Sequence, residues 1–326
     1  MTTANLPHAT DWRAKTGAFY FVDVGSRGGF HDMSSLHPLI HMYSFDADST
    51  TKQPVQQFAS YHHFPFALSS SDGETELLLT SHPSMSSLLE FDEAVFMRHF
   101  GLVPGSETWK QMLALKLRQK TTTHKADDVF QRQELHRIDF LKLDTQGTEL
   151  EILKGARQYL RAGKISVIKV EVGFIPVYRN QCEFSEVDLF LKEHGFIFVD
   201  CMFYPDAVYE SRLASAVQGV RLKEQPRFSA VGDAVYVLDP RVSAEPDETS
   251  STIRSAIVLN QLGYVSFAFD LLKGCGYETE AASELLQATA MSARFRTKAK
   301  RLLKANLPPW AYRQARRLYA SLFSGR

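Results

Sequence analysis

Acidic residues end two predicted strands near the start of the chain, and a glycine-rich turn accompanies the first. The apolar run 18–24 leads into the sequence DVGSRGG, and the run 40–46 ends at Asp46. Glycines at a strand-to-helix turn let a ligand approach the backbone, because no Cβ stands between the two. The spacing is DxGxxGG, whereas a dinucleotide fingerprint requires GxGxxG. The turn therefore argues against a dehydrogenase.

The same pattern suits S-adenosylmethionine, whose methionine end presents an ammonium and a carboxylate group. We expect Asp23 to lie near the ammonium group and the backbone of the turn to lie against the ligand, at Gly25, Ser26, Gly28 and Gly29. Asp46 follows Asp23 by 23 residues, near the separation at which a ribose-binding acid occurs in nucleotide-binding α/β domains. The alternatives are a glycine-rich turn without a ligand and a solvated acid in a loop.

Two further carboxylates end predicted strands later in the chain. The run IDFLKLD (138–144) ends at Asp144, and ISVIKVEV (165–172) carries Glu171 near its end. In open α/β sheets the ligand lies beyond the carboxyl ends of the strands. A base there could take the proton of a hydroxyl that accepts a methyl group. We predict Asp144 as the base or acceptor-orienting group, with Glu171 as the second choice.

The turn after Asp144 contributes further candidates. Gln146 and Gly147 lie in that turn, and Glu149 falls in the first turn of a predicted helix, where the helix dipole favours an acid whatever its function. Lys142 is either solvated or paired. No histidine accompanies the carboxylates at metal-ligand spacing, so the sequence predicts no metal site.

The elements that position these residues alternate between strand and helix. Apolar runs predict helices at 149–160 and 186–196, and strands at 18–24, 40–46, 63–69, 75–80, 138–144, 165–172, 196–200 and 233–239. This alternation predicts a doubly wound, mostly parallel, Rossmann-like α/β sheet with helices on both faces. The segment 81–120 has no predicted boundaries, although Leu113 and Leu117 suit a helix.

Composition divides the chain into four segments. We predict a flexible N-terminal segment (1–17), a methyltransferase-type α/β domain (18–239), a linker rich in serine, proline and acids (240–252), and a helical, basic C-terminal extension (253–326). Within the extension, residues 253–272 predict two short helices that break near Gly263 and pack on the α/β domain.

Charge is unevenly distributed, although the chain has 37 basic and 37 acidic residues. The last acid is Glu284, and ten Lys or Arg residues follow it, all within 294–326. The acidic body argues against nucleic acid as a partner. The basic tail suits a peripheral contact with anionic lipid or an acidic protein, and a solvated helix packed on its own domain is the alternative. Distant cysteines and the lack of an apolar N-terminal run predict a cytoplasmic protein whose tail can reach the inner face of the membrane.

The segment 138–156 resembles the central motif of the FkbM-type S-adenosylmethionine-dependent methyltransferase family. That motif is a strand ending in K-x-D, then x-Q-G-x-E and a helix ending in G-A, and the chain matches it at Lys142, Asp144, Gln146, Gly147, Glu149, Gly155 and Ala156. Upstream, the resemblance extends to the cofactor loop FVDVGSRGG, the second-strand segment YSFDAD, the third strand and hairpin FALSSSDGETEL with Ala67, the serine motif MSSL with Ser87, and THKADDVF. Glu171 matches an acid after the next strand, whereas Asp46 replaces the family's usual Glu.

The resemblance covers residues 18–200. It implies a seven-stranded sheet with a reversed last strand, S-adenosylmethionine as cofactor, and usually O-methylation of sugar or polyketide hydroxyls. We therefore expect a methyltransferase that acts on a sugar, glycolipid or other small hydroxylated acceptor. The alternative is a catalytically inactive binding or scaffold protein that acts through its basic tail.

Overall fold

A seven-stranded sheet forms the centre of the protein, in a computed structural model that describes residues 12–27, 30, 32–51, 58–101, 106–203, 230–242 and 248–289. Its strands are β1 (Phe19–Val24), β2 (Ile40–Phe45), β3 (Ser60–Phe64), β7 (Ile138–Leu143), β8 (Ile165–Gly173), β9 (Phe196–Phe203) and β10 (Val231–Leu238). They lie in the order β3-β2-β1-β7-β8-β10-β9. β10 runs antiparallel to β8 and β9, and the other pairs are parallel. The mixed α/β architecture, the mostly parallel sheet and the reversed last strand are thus confirmed.

A smaller sheet and helices surround the central one. Strands β4 (Ala67–Ser69), β5 (Gly73–Thr80) and β6 (Leu115–Lys125) form a three-stranded sheet in the order β4-β6-β5. The helices are α1 (Trp12–Thr16), α2 (Glu93–Phe100), α3 (Ser106–Leu113), α4 (Ala126–Arg132), α5 (Glu149–Gly155), α6 (Arg157–Arg161), α7 (Phe184–Glu193), α8 (Glu248–Leu262), α9 (Val265–Gly274) and α10 (279–289). No helix among the described residues has the length and apolarity to cross a membrane.

Each face of the central sheet carries its own apolar core, because successive strand residues point to opposite faces. One core joins the strands to α4, α5, α6 and α7, through residues such as Val22, Leu141, Ile168, Val129, Leu153, Leu160 and Leu191. The other joins them to the C-terminal helices, through Phe21, Phe140, Val167, Ala256, Ile257 and Leu272. The sheet is therefore covered on both sides, and its carboxyl edge remains for a ligand.

Helix α8 is built into the second core. Arg254 Nε donates to Asp139 Oδ1 at 2.6 Å, and the backbone N–H of Tyr20 donates to Asp139 Oδ2 at 2.8 Å. The predicted break near Gly263 and the predicted packing on the α/β domain are confirmed. However, α8 begins at Glu248, inside the predicted linker 240–252. Residues 12–16 of the predicted flexible segment form α1, and Trp12 packs against this core. The division of the chain into four segments stays a prediction.

Two predicted elements are wrong. The run 63–69 is not one strand: β3 ends at Phe64 and β4 begins at Ala67 in the other sheet. Pro65 lies at the break, and proline cannot donate a hydrogen bond to a strand ladder. Leu117 is not helical, because α3 ends at Leu113 and β6 pairs with β5.

The predicted helix 149–160 is divided at Ala156 into α5 and α6. The Asp127 carboxylate accepts hydrogen bonds from the N–H groups of Gln158 and Tyr159 at 3.0 and 3.1 Å. An acid that caps free N–H groups stabilises the start of a new helix. Asp127 therefore fixes the second helical segment from outside it.

Candidate active site

The loops after β1 and β7 touch at the carboxyl edge of the sheet. β1 lies between β2 and β7, so the strand order reverses there, which is where open α/β sheets bind ligands. Asp144 donates its N–H to Val24 O at 3.0 Å. A Cβ on Gly25 would lie 1.8 Å from Asp144 O, and its φ is +78°. Only glycine allows this contact, so Gly25 brings the two loops together.

A cavity of about 700 Å³, including its open mouth, lies beside this contact. Five predicted site residues from different loops line it: Gly25, Asp46, Ala67, Ser87 and Asp144, and Gln146 joins them. Apolar walls come from Val24, Phe45, Phe66, Leu68, Leu77 and Leu88. The six predicted site residues, from distant parts of the sequence, therefore meet at one cavity, and their roles stay predictions.

Among these residues, Asp46 gives the clearest indication of a ligand. It is 8% exposed, and Oδ1 accepts from the N–H of Asp48 at 2.9 Å. Oδ2 is buried and has no donor at hydrogen-bond distance and angle among the described residues, although the Thr51 hydroxyl is near enough to lower the pKa of the carboxyl. Burial raises the pKa of Asp46, and the Asp48 N–H, Arg27 and Thr51 oppose the rise. A buried carboxylate is stabilised by further donors, which the hydroxyl groups of a ribose would supply.

Arg27 connects three loops at the mouth of the cavity. Its guanidinium donates to Pro83 O at 2.6 Å and pairs with Asp48. Arg27 lies inside the glycine-rich turn, and the spacing of that turn predicted no role for it. Its position within DVGSRGG was the available signal.

Two residues of the predicted cofactor turn use their N–H groups within the sheet. The Ser26 hydroxyl lies 2.6 Å from the Ser44 hydroxyl, inside the sheet. The N–H groups of both Gly25 and Ser26 donate to Phe45 O, at 2.9 and 3.2 Å. Both N–H groups already donate hydrogen bonds within the protein, so they are not free to bind the carboxylate group of a ligand. Gly28 and Gly29 lie outside the described residues.

Asp23 also differs from its predicted position, because it does not line the cavity. It is 2% exposed, and the Lys142 ammonium lies 3.3 Å from its Oδ1 and 3.2 Å from Asp144 Oδ2. Burial alone would lower the pKa of Lys142, but attraction to Asp23 and Asp144 outweighs it and raises the pKa. Lys142 is thus paired rather than solvated, and Asp23 acts on Asp144 through it.

Gln146 joins the two candidate bases. Its Nε2 donates to Glu171 Oε2 at 2.6 Å and approaches Asp144 Oδ1 at 3.4 Å. Ser87 Oγ donates to the Gln146 carbonyl at 2.7 Å, so the serine motif fixes the backbone of this turn. Burial, followed by the charges of Asp144 and Glu149, raises the pKa of Glu171 well above its usual range. Glu171 does not line the cavity, whereas Asp144 does.

Glu149 shapes the turn from within. Its carboxylate accepts from the N–H of Thr145 at 2.7 Å, from the Thr145 hydroxyl at 3.0 Å and from the N–H of Gly147 at 3.0 Å. Burial raises the pKa of Glu149, and these hydrogen bonds oppose the rise. Gly147 has φ +111°, a backbone conformation that favours glycine. Both residues therefore hold the turn that presents Asp144 and Gln146.

Tyr178 was not predicted from the sequence. It is 4% exposed, and its single hydroxyl hydrogen is within reach of two acceptors, Met85 O at 3.0 Å and Gln146 Oε1 at 3.2 Å. Thirty-two residues separate Tyr178 from Gln146 along the chain, and no motif links them.

Among the residues that the structure describes, no group of three His, Cys, Asp or Glu side chains could hold a metal ion.

Comparison with known proteins agrees with this geometry. Residues 40–198 match the family model described as the methyltransferase FkbM domain. The match spans β2 to β9, including the central motif, while β1 and its loop precede it. A search of curated proteins finds no match to the chain. Just under half of the chain is therefore similar to the FkbM methyltransferase family, which confirms the resemblance that its motifs indicated.

Proposed function

We propose that the protein transfers the methyl group of S-adenosylmethionine to a hydroxyl group of a sugar, glycolipid or other small hydroxylated acceptor. The buried carboxyl of Asp46, which follows β2 and lines the cavity, carries the cofactor assignment. Asp46 would accept from the ribose hydroxyls, and the apolar wall at Ala67, Leu68 and Leu77 would receive the adenine. When bound, the cofactor supplies an electrophilic methyl group.

Asp144 is the residue best placed to act on the acceptor. It lines the cavity, and Lys142 holds its Oδ2 at 3.2 Å. Among the described residues, Gln146 at 3.4 Å is the hydrogen-bond partner of its Oδ1, so that oxygen is available to a hydroxyl proton. Methyl transfer is a displacement that depends on the alignment of donor and acceptor. Asp144 would orient the hydroxyl and take its proton, while the paired Lys142 fixes the carboxylate.

Calorimetric titration with S-adenosylmethionine tests the cofactor assignment directly. Asp46→Ala should weaken binding about tenfold to a hundredfold, as the loss of a hydrogen bond to a charged group does. Asp128→Ala removes an acid from α4 whose side chain is 50% exposed and should leave the affinity unchanged. No measurable binding by the wild-type chain would contradict the proposal and favour the scaffold alternative.

The acceptor class needs a separate experiment. The wild-type chain would be incubated with methyl-labelled cofactor and with sugar nucleotides, glycolipids or small polyols. Label in one of these classes, at an alkali-stable ether position, is the expected result. Label on nitrogen or on a carboxyl group instead would contradict O-methylation of a hydroxyl while leaving the cofactor assignment intact.

A further inference from the structure

Tyr178 lies behind the candidate bases rather than in the cavity. It packs in the cluster formed by Phe96, Phe100 and Ile175. Its hydroxyl has one hydrogen to donate and two acceptors within reach, Met85 O and Gln146 Oε1. The phenol therefore presents a donor to the oxygen end of the Gln146 amide.

The orientation of that amide determines what the two carboxyl groups contact. With Oε1 toward Tyr178, the NH₂ group faces Glu171 and Asp144, at 2.6 and 3.4 Å. An amide turned by 180° would place its oxygen against both acids, although the two ends have nearly the same shape. The backbone of Gln146 has φ +59° and is held by Ser87. The turn thus holds the side chain in place, and the hydroxyl selects which end faces the acids.

We propose that Tyr178 is a positioning residue, whose hydroxyl fixes the Gln146 amide so that its NH₂ group holds Glu171 and Asp144 together beside the cavity. The effect of this positioning on turnover rests on the proposed function, whereas the hydrogen bonds themselves form without a methyl acceptor.

The electrostatic surroundings make the arrangement measurable. The charges with the largest effect on Glu171 are those of acids at the end of β7, on α5 and on β10: Asp144, Glu149 and Asp233. Lys142 pairs with Asp144 and Lys169 with Asp233, and the Tyr178 phenol also faces Glu171. Burial and these acids raise the pKa of Glu171, and the Gln146 amide opposes the rise. Burial and the same acidic environment raise the pKa of Tyr178, so the phenol keeps its proton. Losing the amide orientation should therefore raise the pKa of Glu171 further.

The test uses the full-length protein, with glutamate labelled with ¹³C at the side-chain carboxyl, and follows Glu171 by NMR during a pH titration. Its resonance is assigned by its loss in Glu171→Gln. Tyr178→Phe removes only the hydroxyl, and the pKa of Glu171 should rise by about one unit, the effect of losing a hydrogen bond to a charged group. Tyr236→Phe is the matched control, because it removes another buried hydroxyl, 3.2 Å from Asp188 Oδ1, and should cause no shift.

An unchanged pKa of Glu171 in Tyr178→Phe would overturn the proposal. A lowered pKa would overturn it too, since the hydroxyl would then accept from a turned amide. Gln146→Met, which removes the amide altogether, must also raise the pKa, and an unchanged pKa in that variant would overturn the proposal even if Tyr178→Phe does not fold. S-adenosylmethionine affinity should stay within about twofold of wild type in Tyr178→Phe. Failure of the wild type to bind that cofactor would contradict the proposed function but not the NMR result.

Discussion

Lys142 compensates two carboxylates at the centre of the site. Removing one partner from a buried ion pair leaves an uncompensated charge, which costs several kcal/mol. Here the lysine contacts both Asp23 and Asp144, so each acid limits the cost of altering the other. Lys142 therefore holds Asp144 at the cavity, and Asp23 is its second counterion.

Asp144→Asn should lower turnover by about two to four orders of magnitude, the usual effect of removing a general base. Cofactor affinity should change little, because Asp46 and the apolar wall remain. Methyl transfer to the acceptor found by screening, together with calorimetry, would measure both quantities. Glu171→Gln is the comparison variant, since Glu171 does not line the cavity. Near-wild-type turnover in Asp144→Asn with loss in Glu171→Gln would exchange the two roles.

Glu171 should also make stability depend on pH. In the unfolded chain a glutamate has a pKa of about 4.3. In the folded state, burial and neighbouring acids raise the pKa of Glu171 above that value. Between these two pKa values the folded protein binds more protons than the unfolded chain, so the free energy of unfolding falls as pH rises. The loss is about 1.4 kcal/mol for each unit of elevation.

Urea unfolding at pH values from 4 to 9 would measure this dependence. Glu171→Gln should gain stability relative to wild type as pH rises through the window. Glu193→Gln, which alters an exposed glutamate at the end of α7, should follow the wild-type curve. Parallel curves for all three proteins would contradict the raised pKa of Glu171.

The sequence located the acids that end strands, because a short motif keeps Asp144, Gln146 and Glu149 within one turn. It did not separate their functions. Glu149 bonds only to its own turn, and Asp23 acts through Lys142. Tyr178 reaches the site only through the packing of separate elements, which local spacing does not encode.

At the scale of elements, glycines set how closely the loops and helices approach. A Cβ on Gly155 would lie 1.9 Å from Ser69 O, so α5 packs directly against β4. β4 begins at Ala67, which lines the cavity. The helix that follows the central motif therefore also positions the wall assigned to the adenine.

Gly155→Ala should lower the free energy of unfolding by about 2–4 kcal/mol, because neither backbone can yield without moving its element. Cofactor affinity should fall as well, since β4 moves with the displaced helix. Gly274→Ala is the matched control: it ends α9, nothing lies within 4 Å of its Cβ position, and alanine is the better helix former. Equal unfolding midpoints for the two variants would contradict the tight α5–β4 contact.

Predictions of strands and helices succeeded where an apolar run was unbroken. They failed where a single residue or a neighbouring element set the boundary or the type of the element. The central strands β1, β2, β7 and β8 follow from their apolar runs alone. Pro65 divides the run 63–69 between two sheets, and Asp127 divides 149–160 into two helices. Leu113 and Leu117 have the spacing of one helical face, but Leu and basic residues alternate from Leu115 to Arg118 with the period of a strand. Pairing with β5 shows that this segment is a strand.

At the scale of the whole molecule, the described helices end where the basic sequence begins. Asn260 Nδ2 donates to Leu286 O at 2.9 Å and to Thr289 Oγ1 at 2.7 Å, so the chain is anchored to α8 as far as Thr289. The predicted membrane or acidic-protein contact through 294–326 lies outside the described residues. A truncation after Thr289 therefore removes all ten basic residues and keeps the contacts with α8.

The tail should give the protein affinity for anionic membranes. Each Lys or Arg near an anionic surface contributes about 1 kcal/mol, so half of the ten would provide measurable binding. At low salt the full chain should sediment with phosphatidylserine vesicles, whereas the chain ending at Thr289 should stay in the supernatant. Neutral phosphatidylcholine vesicles and about 0.5 M salt, which shortens the screening length, should release the full chain. Equal recovery of both proteins in the supernatant with anionic vesicles would leave the tail without a membrane role, and equal sedimentation would assign the binding to the folded body.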